Sequence, residues 1–342
     1  MRKIPRTVAL LLTFTILFGS FSGCGKKKNE NVEEPLTPPI EETTEKEPEI
    51  KEKYNDNDER PIAVVIDNDG KDSWPHSGLS DAYMIYEMYV EGGVTRLLAF
   101  FKGKDTAKIG PIRSVRHYFY DFVFEHDAFF TGFGVSPRAS EDLRNLGVKM
   151  MNGILGDESY FWREEKYKYD YHSVYTSIKN IKKAMEKKGI SQKSDAKFLP
   201  YNDEMTELTS DASAKKIVIP YNSIYKVTYE YNEEEKNYKR TMNSSTVHKS
   251  PDGTLYAPVN IILQEVSNYT ISGDTAGRQD MRTVGSGKGK YITNGKAVDI
   301  TWQKNSRRAK TVYKTADGKE LVLNPGLTFV NIVPPSMRVT IE

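Results

Sequence analysis

The chain of 342 residues is poor in the residues that usually announce a mechanism. It has one cysteine, Cys24. That excludes a disulfide framework, a zinc knuckle built on several thiols and a Cys-x-x-Cys redox pair. Its five histidines (76, 117, 126, 172 and 248) show no His-x-x-x-His or His-Glu-x-x-His spacing, so no zinc hydrolase motif is present. No nucleophile elbow surrounds Ser77-Gly78 or Ser136-Pro137, so serine hydrolysis has no motif behind it. Charge of one sign is also missing: 49 basic and 47 acidic residues leave +2. That gives a polyanion-binding reading such as nucleic acid little support. With 38% apolar and 28% charged residues, the chain can build a packed core but is too polar for a multi-span membrane protein.

What is present begins at the N-terminus. Arg2, Lys3 and Arg6 form a positive start, and Val8–Phe18 is an apolar run of 11 residues, the length of a signal-peptide core and short of a membrane span. Phe21-Ser22-Gly23-Cys24 follows. Small residues before a lone cysteine resemble the lipobox of bacterial lipoproteins, with Phe21 where that motif usually has leucine. The resemblance implies a cleaved signal over residues 1–23, diacylglyceryl attachment at Cys24 and a lipid-anchored, extracytoplasmic protein at the cell membrane. The alternative is an ordinary secretory signal with an incidental cysteine. Residues 24–60 carry the lipidated cysteine and a Glu-, Lys- and Pro-rich linker, which is too polar to offset its ordering entropy and is expected to be disordered. The near-zero total charge is three unlike parts: +3 in residues 1–23, −5 in 26–60 and +4 in 61–342.

From Pro61 onward a folded pattern starts. Ile62–Ile66 is a continuous apolar run, expected as a strand buried on both faces, and Asp67-Asn68-Asp69-Gly70 ends it. Ala82–Val90, Val94–Phe101 and Ala128–Phe133 read as further strands, with Glu91-Gly92-Gly93 as a tight turn. Three helices are expected, capped by Ser114, Ser136 (with Pro137 at the first position) and Thr176. Residues 61–200 are therefore an α/β or α+β domain. Residues 215–342 contain short strands and the hairpin signals Asp252-Gly253, Asn294-Gly295 and Asp317-Gly318, and no helical period. A β-rich barrel or sandwich is expected there. Gly285–Lys290 lacks phosphate-loop spacing and reads as a flexible hairpin.

Chemistry concentrates between residues 67 and 121. If Ser114 caps a helix, Arg113 and Arg116 sit at an end where the helix dipole disfavours cations and free N–H groups attract anions. Arg96, Arg113 and Arg116, with Asn68 and Ser114, are then candidate ligands for phosphate or carboxylate. Pairing of the arginines with Glu87, Glu91 or Asp121 accounts for the same residues without a ligand. Glu87 and Glu91, four apart, would share a strand face and need a cation, a metal or a shared proton. Asp67 and Asn68 close a buried strand, where α/β proteins favour ligands, although plain turn chemistry also suits them. The aromatics Tyr118–Phe124 and Tyr160–Trp162 either floor a glycan groove or fill the core.

Ile62–Asn68, Ser77–Ala82, Tyr86-Glu87, Val90–Arg96 and Ile109–Arg116 resemble the YerB-type bacterial lipoproteins. That family joins a domain of unknown function to a β-rich partner, and the resemblance spans residues 60–342. It implies the compartment and the two-part layout, and no established activity. A looser resemblance joins Asp67 and Gly78–Met84 to the opening of the LytR-CpsA-Psr phosphotransferases. It implies Asp67 and Asp81 as carboxylates on a divalent cation such as Mg²⁺. The Pro-Arg-Asp segment of those enzymes is absent, and Ala99-Phe100-Phe101-Lys102 stands there instead.

Three functions remain open. The first is binding of an anionic, phosphate-bearing envelope ligand, such as a glycopolymer or a lipid-linked precursor. The second is metal-assisted phosphoryl or glycosyl transfer, with Asp67, Asp81, Glu87 and Glu91 as candidate catalytic residues. The third is a structural partner in the envelope. No cofactor follows from the residues themselves, and catalysis is undecided.

Overall fold

The computed structural model describes residues 57–164 and 172–342. Cys24, the signal segment and most of the linker lie outside the described residues. In chain order the elements are β1 (Ile62–Asn68), β2 (Ala82–Tyr89), β3 (Thr95–Phe101), α1 (Phe119–Glu125), β4 (Phe129–Gly132), α2 (Pro137–Asn145), β5 (Met150–Asn152), β6 (Trp162–Arg163), β7 (Val174–Tyr175) and α3 (Ile178–Lys187). Then come β8 (Lys216–Pro220), β9 (Lys226–Asn232), β10 (Asn237–Met242), β11 (Thr246–Val247), β12 (Asn260–Glu265), β13 (Asn268–Thr270), β14 (Gln279–Met281), β15 (Gly285–Thr293), β16 (Lys296–Lys304), β17 (Val312–Thr315), β18 (Thr328–Val333) and β19 (Thr340–Ile341). The first half mixes strands and helices, and the second half is β-rich. No described helix is long and apolar enough to cross a membrane.

The two halves share one sheet. Ten strands run in the order β17-β16-β15-β12-β18-β2-β3-β1-β4-β5. β18, from the C-terminal half, pairs in parallel with β2, matching Asn331 to Glu87. The two expected parts are therefore continuous through their hydrogen bonds. A second sheet, β11-β10-β9-β8-β19, covers one face together with α3. On that face Ile62, Val64 and Ile66 pack with Ile178, Ile181, Ile217 and Tyr229. The opposite face packs Ala63 and Val65 with Phe119, Phe122, Tyr291 and Trp302. Strict alternation along β1 sends consecutive residues to the two cores, which is why its sequence is apolar without interruption.

Local signals place most elements. Ser136 caps α2 by accepting from Ala139 N, with Pro137 next. Asn294-Gly295, both at positive φ, turn β15 into β16. Three expectations change. Ser114 caps nothing: α1 starts only at Phe119, because Ile112–Val115 is drawn into extended pairing, with Ile112 bridged to Ile66 and Val115 to Val135. α3 is capped by Ser177 rather than Thr176, whose hydroxyl donates to Tyr160 O. Gly285–Gly289 is not a free hairpin but the first part of β15, paired against Ile300–Lys304. Its glycines make room: a Cβ on Gly289 would lie 2.4 Å from Leu263 O.

Candidate anion site at the strand ends

β1 and β2 run in the same direction, each antiparallel to β3 between them, and β4 and β5 are parallel to β1. Their C-terminal ends gather at one edge of the sheet. Asp67 is the last residue but one of β1 there, cross-strand from Arg96 on β3. The extended segment Ile112–Val115 passes beside them, with Arg113 N donating to Val65 O.

Asp67 is buried, its Oδ1 accepts from Asp69 N at 3.3 Å, and its Oδ2 has two side-chain partners. Its Oδ2 lies 3.1 Å from Arg113 Nε and 2.5 Å from His172 Nδ1. Burial opposes its ionisation, but the His172 hydrogen bond and the charges of Arg113 and Arg96 outweigh burial and hold the carboxyl below its ordinary value. An ionised Asp67 only accepts, so His172 Nδ1 donates. Arg113 also lies 4.0 Å from Asp69, which is about half exposed.

The other two arginines share Glu91. Arg96 Nη2 lies 3.0 Å from Glu91 Oε1, and Arg116 Nε donates to Oε2 at 2.7 Å, with its Nη2 also on Oε1. Both guanidiniums also donate to Ser114 O. Burial works against the Glu91 charge, and the arginines nonetheless bring its carboxyl down to about 2. Arg96 is pushed down to about 10, first by burial and then by the neighbouring charge of Arg116, with Arg113 adding to it. Its Nε is buried and has no hydrogen-bond partner among the described residues.

Arg96, Arg113 and Arg116 thus come together with Asp67, Glu91 and the Ser114 carbonyl. They do so on an extended segment and a strand, and not at a helix N-terminus as expected. Glu87 is elsewhere. It faces Leu97 across β2–β3, so alternation puts it on the opposite face from Arg96. There it pairs with Arg240 at 2.6 Å, both fully buried. Glu91 lies beyond the end of β2 in a short turn, which breaks the expected same-face relation. Asn68 turns to the Glu87 face, 3.1 Å from its carboxylate. Asp121 pairs with Arg307.

Asp81 does not join Asp67. It precedes Ala82, which lies opposite Phe101, whereas Asp67 lies opposite Arg96. Five residues of β3 separate these positions, about 17 Å at the usual strand rise. Asp81 instead accepts from Thr106 Oγ1 at 2.7 Å. Among the described residues no group of three or more His, Cys, Asp or Glu is placed to hold a metal ion.

An apolar rim borders the arginines. Phe133 N donates to Arg113 O, and the Phe133 ring packs edge-on against Phe161 at 5.3 Å. Ile154 and Leu155 are exposed nearby. A Cβ on Gly134 would meet both Ser114 Oγ and Ile154 Cδ1, which puts the rim within a few ångströms of the cluster. Most of Tyr118–Phe124 is core, with Tyr118, Phe119, Tyr120 and Phe122 fully buried. His172 was invisible to spacing arguments, since it is 105 residues from Asp67.

Comparison with known proteins agrees with this architecture. The model of the DUF3048 N-terminal domain, a protein family of unknown function, matches residues 47–191, and that of the DUF3048 C-terminal domain matches 217–330. A Bacillus subtilis (strain 168) protein named "Putative lipoprotein YerB" is 33% identical over 276 residues, 80% of this chain and 81% of that protein. The crystal structure of YerB from Bacillus subtilis superimposes with a TM-score of 0.73 at 32% identity, covering 83% of this chain and 94% of that one. With both domains in order and a relative this similar along most of its length, the chain belongs to the DUF3048 family of YerB-like proteins.

Proposed function

We propose that this protein is a membrane-tethered, extracytoplasmic binding protein that takes a phosphate-bearing anion of the cell envelope at Arg96, Arg113 and Arg116. One observation carries the proposal: three guanidiniums meet the buried Asp67 carboxylate and the partly exposed Glu91 carboxylate in a single cluster at the strand ends. Asp67 and Glu91 match two of the three guanidiniums, and the third charge is balanced only from the exposed side by Asp69, a part an anion can take. Arg113 is the accessible member, its side chain 19% exposed, and its outer neighbour Asp69 is held only at 4.0 Å. An incoming phosphate takes Asp69's place on Arg113, while Arg96 and Arg116 supply field from behind. Phe133, Phe161, Ile154 and Leu155 offer a surface for the remainder of a glycopolymer or lipid-linked ligand. The tether is Cys24, whose two acyl chains would anchor the chain stably.

The test is calorimetric titration of the purified chain with inorganic phosphate and glycerol phosphate, with and without Mg²⁺. Wild type binds without the metal, and Arg113→Ala lowers affinity by about tenfold or more, which corresponds to about 1.4 kcal/mol. Equal binding by both proteins rejects the site, and binding that requires Mg²⁺ favours a transferase instead. Cys24→Ala is expected to move the protein from the membrane to the soluble fraction.

A further inference from the structure

Beneath the anion site, on the opposite face of the sheet, two hydrogen-bonded arms leave one guanidinium and end on consecutive residues of β1. The guanidinium is Arg240, on β10 of the second sheet. Arg240 Nη1 lies 2.8 Å from His248 Nδ1. A guanidinium has no acceptor, so Nδ1 accepts and the His248 proton sits on Nε2. That Nε2 lies 2.7 Å from His76 Nδ1, which in turn must accept. The His76 proton is then on Nε2, 2.7 Å from the carbonyl oxygen of Asp67. One cation thus sets the direction of every bond in the arm.

The second arm runs through Glu87. Arg240 Nη2 donates to Glu87 Oε2 at 2.6 Å. Glu87 Oε1 accepts from Thr95 Oγ1 and Tyr225 OH, each at 2.8 Å. Those same two oxygens accept from Asn68 Nδ2 at 2.7 and 2.8 Å. Arg240, His248, His76, Glu87 and Asn68 are all buried. A buried ion pair is weak evidence of net stabilisation, because desolvation offsets the Coulombic gain, whereas it does impose one geometry. Here the imposed geometry belongs to the Asp67–Asn68 peptide.

We infer that Arg240, His248 and His76 are positioning residues of the anion site: they clamp the Asp67 carbonyl so that its carboxylate meets Arg113 and His172. The inference rests on the anion-binding proposal above. None of the three is placed to touch the anion. The Asp67 carboxylate is two rotatable bonds from the backbone, so a turn of the peptide plane would carry it off Arg113. The C-terminal half thereby completes a site whose ligands come from the N-terminal half.

The test combines imidazole nitrogen NMR of the ¹⁵N-histidine-labelled full chain with phosphate titration. In wild type, His76 and His248 both carry their proton on Nε2; a proton on Nδ1 of either ring overturns the clamp. His248→Gln keeps an acceptor for Arg240 and a donor for His76, so phosphate affinity stays within about twofold. His248→Leu keeps the bulk and loses both bonds, and affinity falls by about tenfold. Phosphate binding that survives His248→Leu overturns the clamp alone. Loss of binding in a folded His248→Gln protein overturns it too, and keeps the proposal testable if the leucine variant does not fold. A wild-type chain that binds no phosphate overturns the anion site itself, and the role with it.

Discussion

Asp67 and Asn68 show how much rests on alternation along a single strand. One residue apart, they face opposite sides of the sheet, and each joins a different charged network. The same alternation splits Glu87 from Arg96 and gives each its own counter-charge. Gly78 is a comparable single-position requirement. It sits at φ +82°, and a Cβ there would lie 2.4 Å from the backbone oxygen of Lys108. The nearest atom is backbone and cannot swing aside, and Thr106 Cγ2 at 2.8 Å crowds the position further. Gly78→Ala is expected to lower stability by about 2 kcal/mol or more, read as the shift of the urea unfolding midpoint.

At the level of elements, capping decides the helices, and competition for backbone partners decides where capping operates. Ser136 and Ser177 each accept from an N–H three residues on, and helices follow both. Ser114 has the right chemistry but lies in a segment whose N–H and C=O groups are taken by β1 and by residues 133–136. Ser177→Ala is expected to destabilise the protein by about 1 kcal/mol, visible as a lowered thermal midpoint. Ser114→Ala is expected to change that midpoint little, since its side chain caps nothing.

The whole molecule is bound together across its two family regions. β18 lies between β12 and β2, and the buried pairs Glu87–Arg240 and Glu125–Lys304 both bridge the halves. A fragment of residues 57–200 would expose the edge of β2 and the apolar face that the second sheet covers, and leave Glu87 without its cation. Such a fragment is expected to lack a cooperative unfolding transition by circular dichroism. The buried histidines add a pH dependence. Burial pushes His76 down to about 4, and His248 and His126 are held low for the same reason. An unfolded histidine takes up its proton near 6.5. Between these values the unfolded chain binds more protons, so stability falls as pH falls from about 7 toward 4. Each such histidine contributes up to about 1.4 kcal/mol per pH unit. Asp121 and Glu125, raised by burial, act in the opposite sense but are outnumbered. The urea midpoint is expected to be lower at pH 5 than at pH 7.5, and an unchanged midpoint would contradict the buried neutral histidines.

Residue order alone specified what depends on a few neighbouring positions. The apolar run of β1, the Ser136-Pro137 start of α2 and the Asn294-Gly295 hairpin all follow from local sterics and periodicity. The shared ten-stranded sheet does not, because β18 finds β2 across more than two hundred residues. Nor does the choice of partner for each charge. Arg240 meets Glu87 from 153 residues away, and His172 meets Asp67 from 105. Charge attracts without regard to chain distance, so the identity of each pair waits on which strands the packed sheets bring side by side. The scarcity of cysteine and of spaced histidines leaves no motif to read. What the fold adds is a network of eight dispersed residues, from Asp67 to His248, that no spacing rule connects.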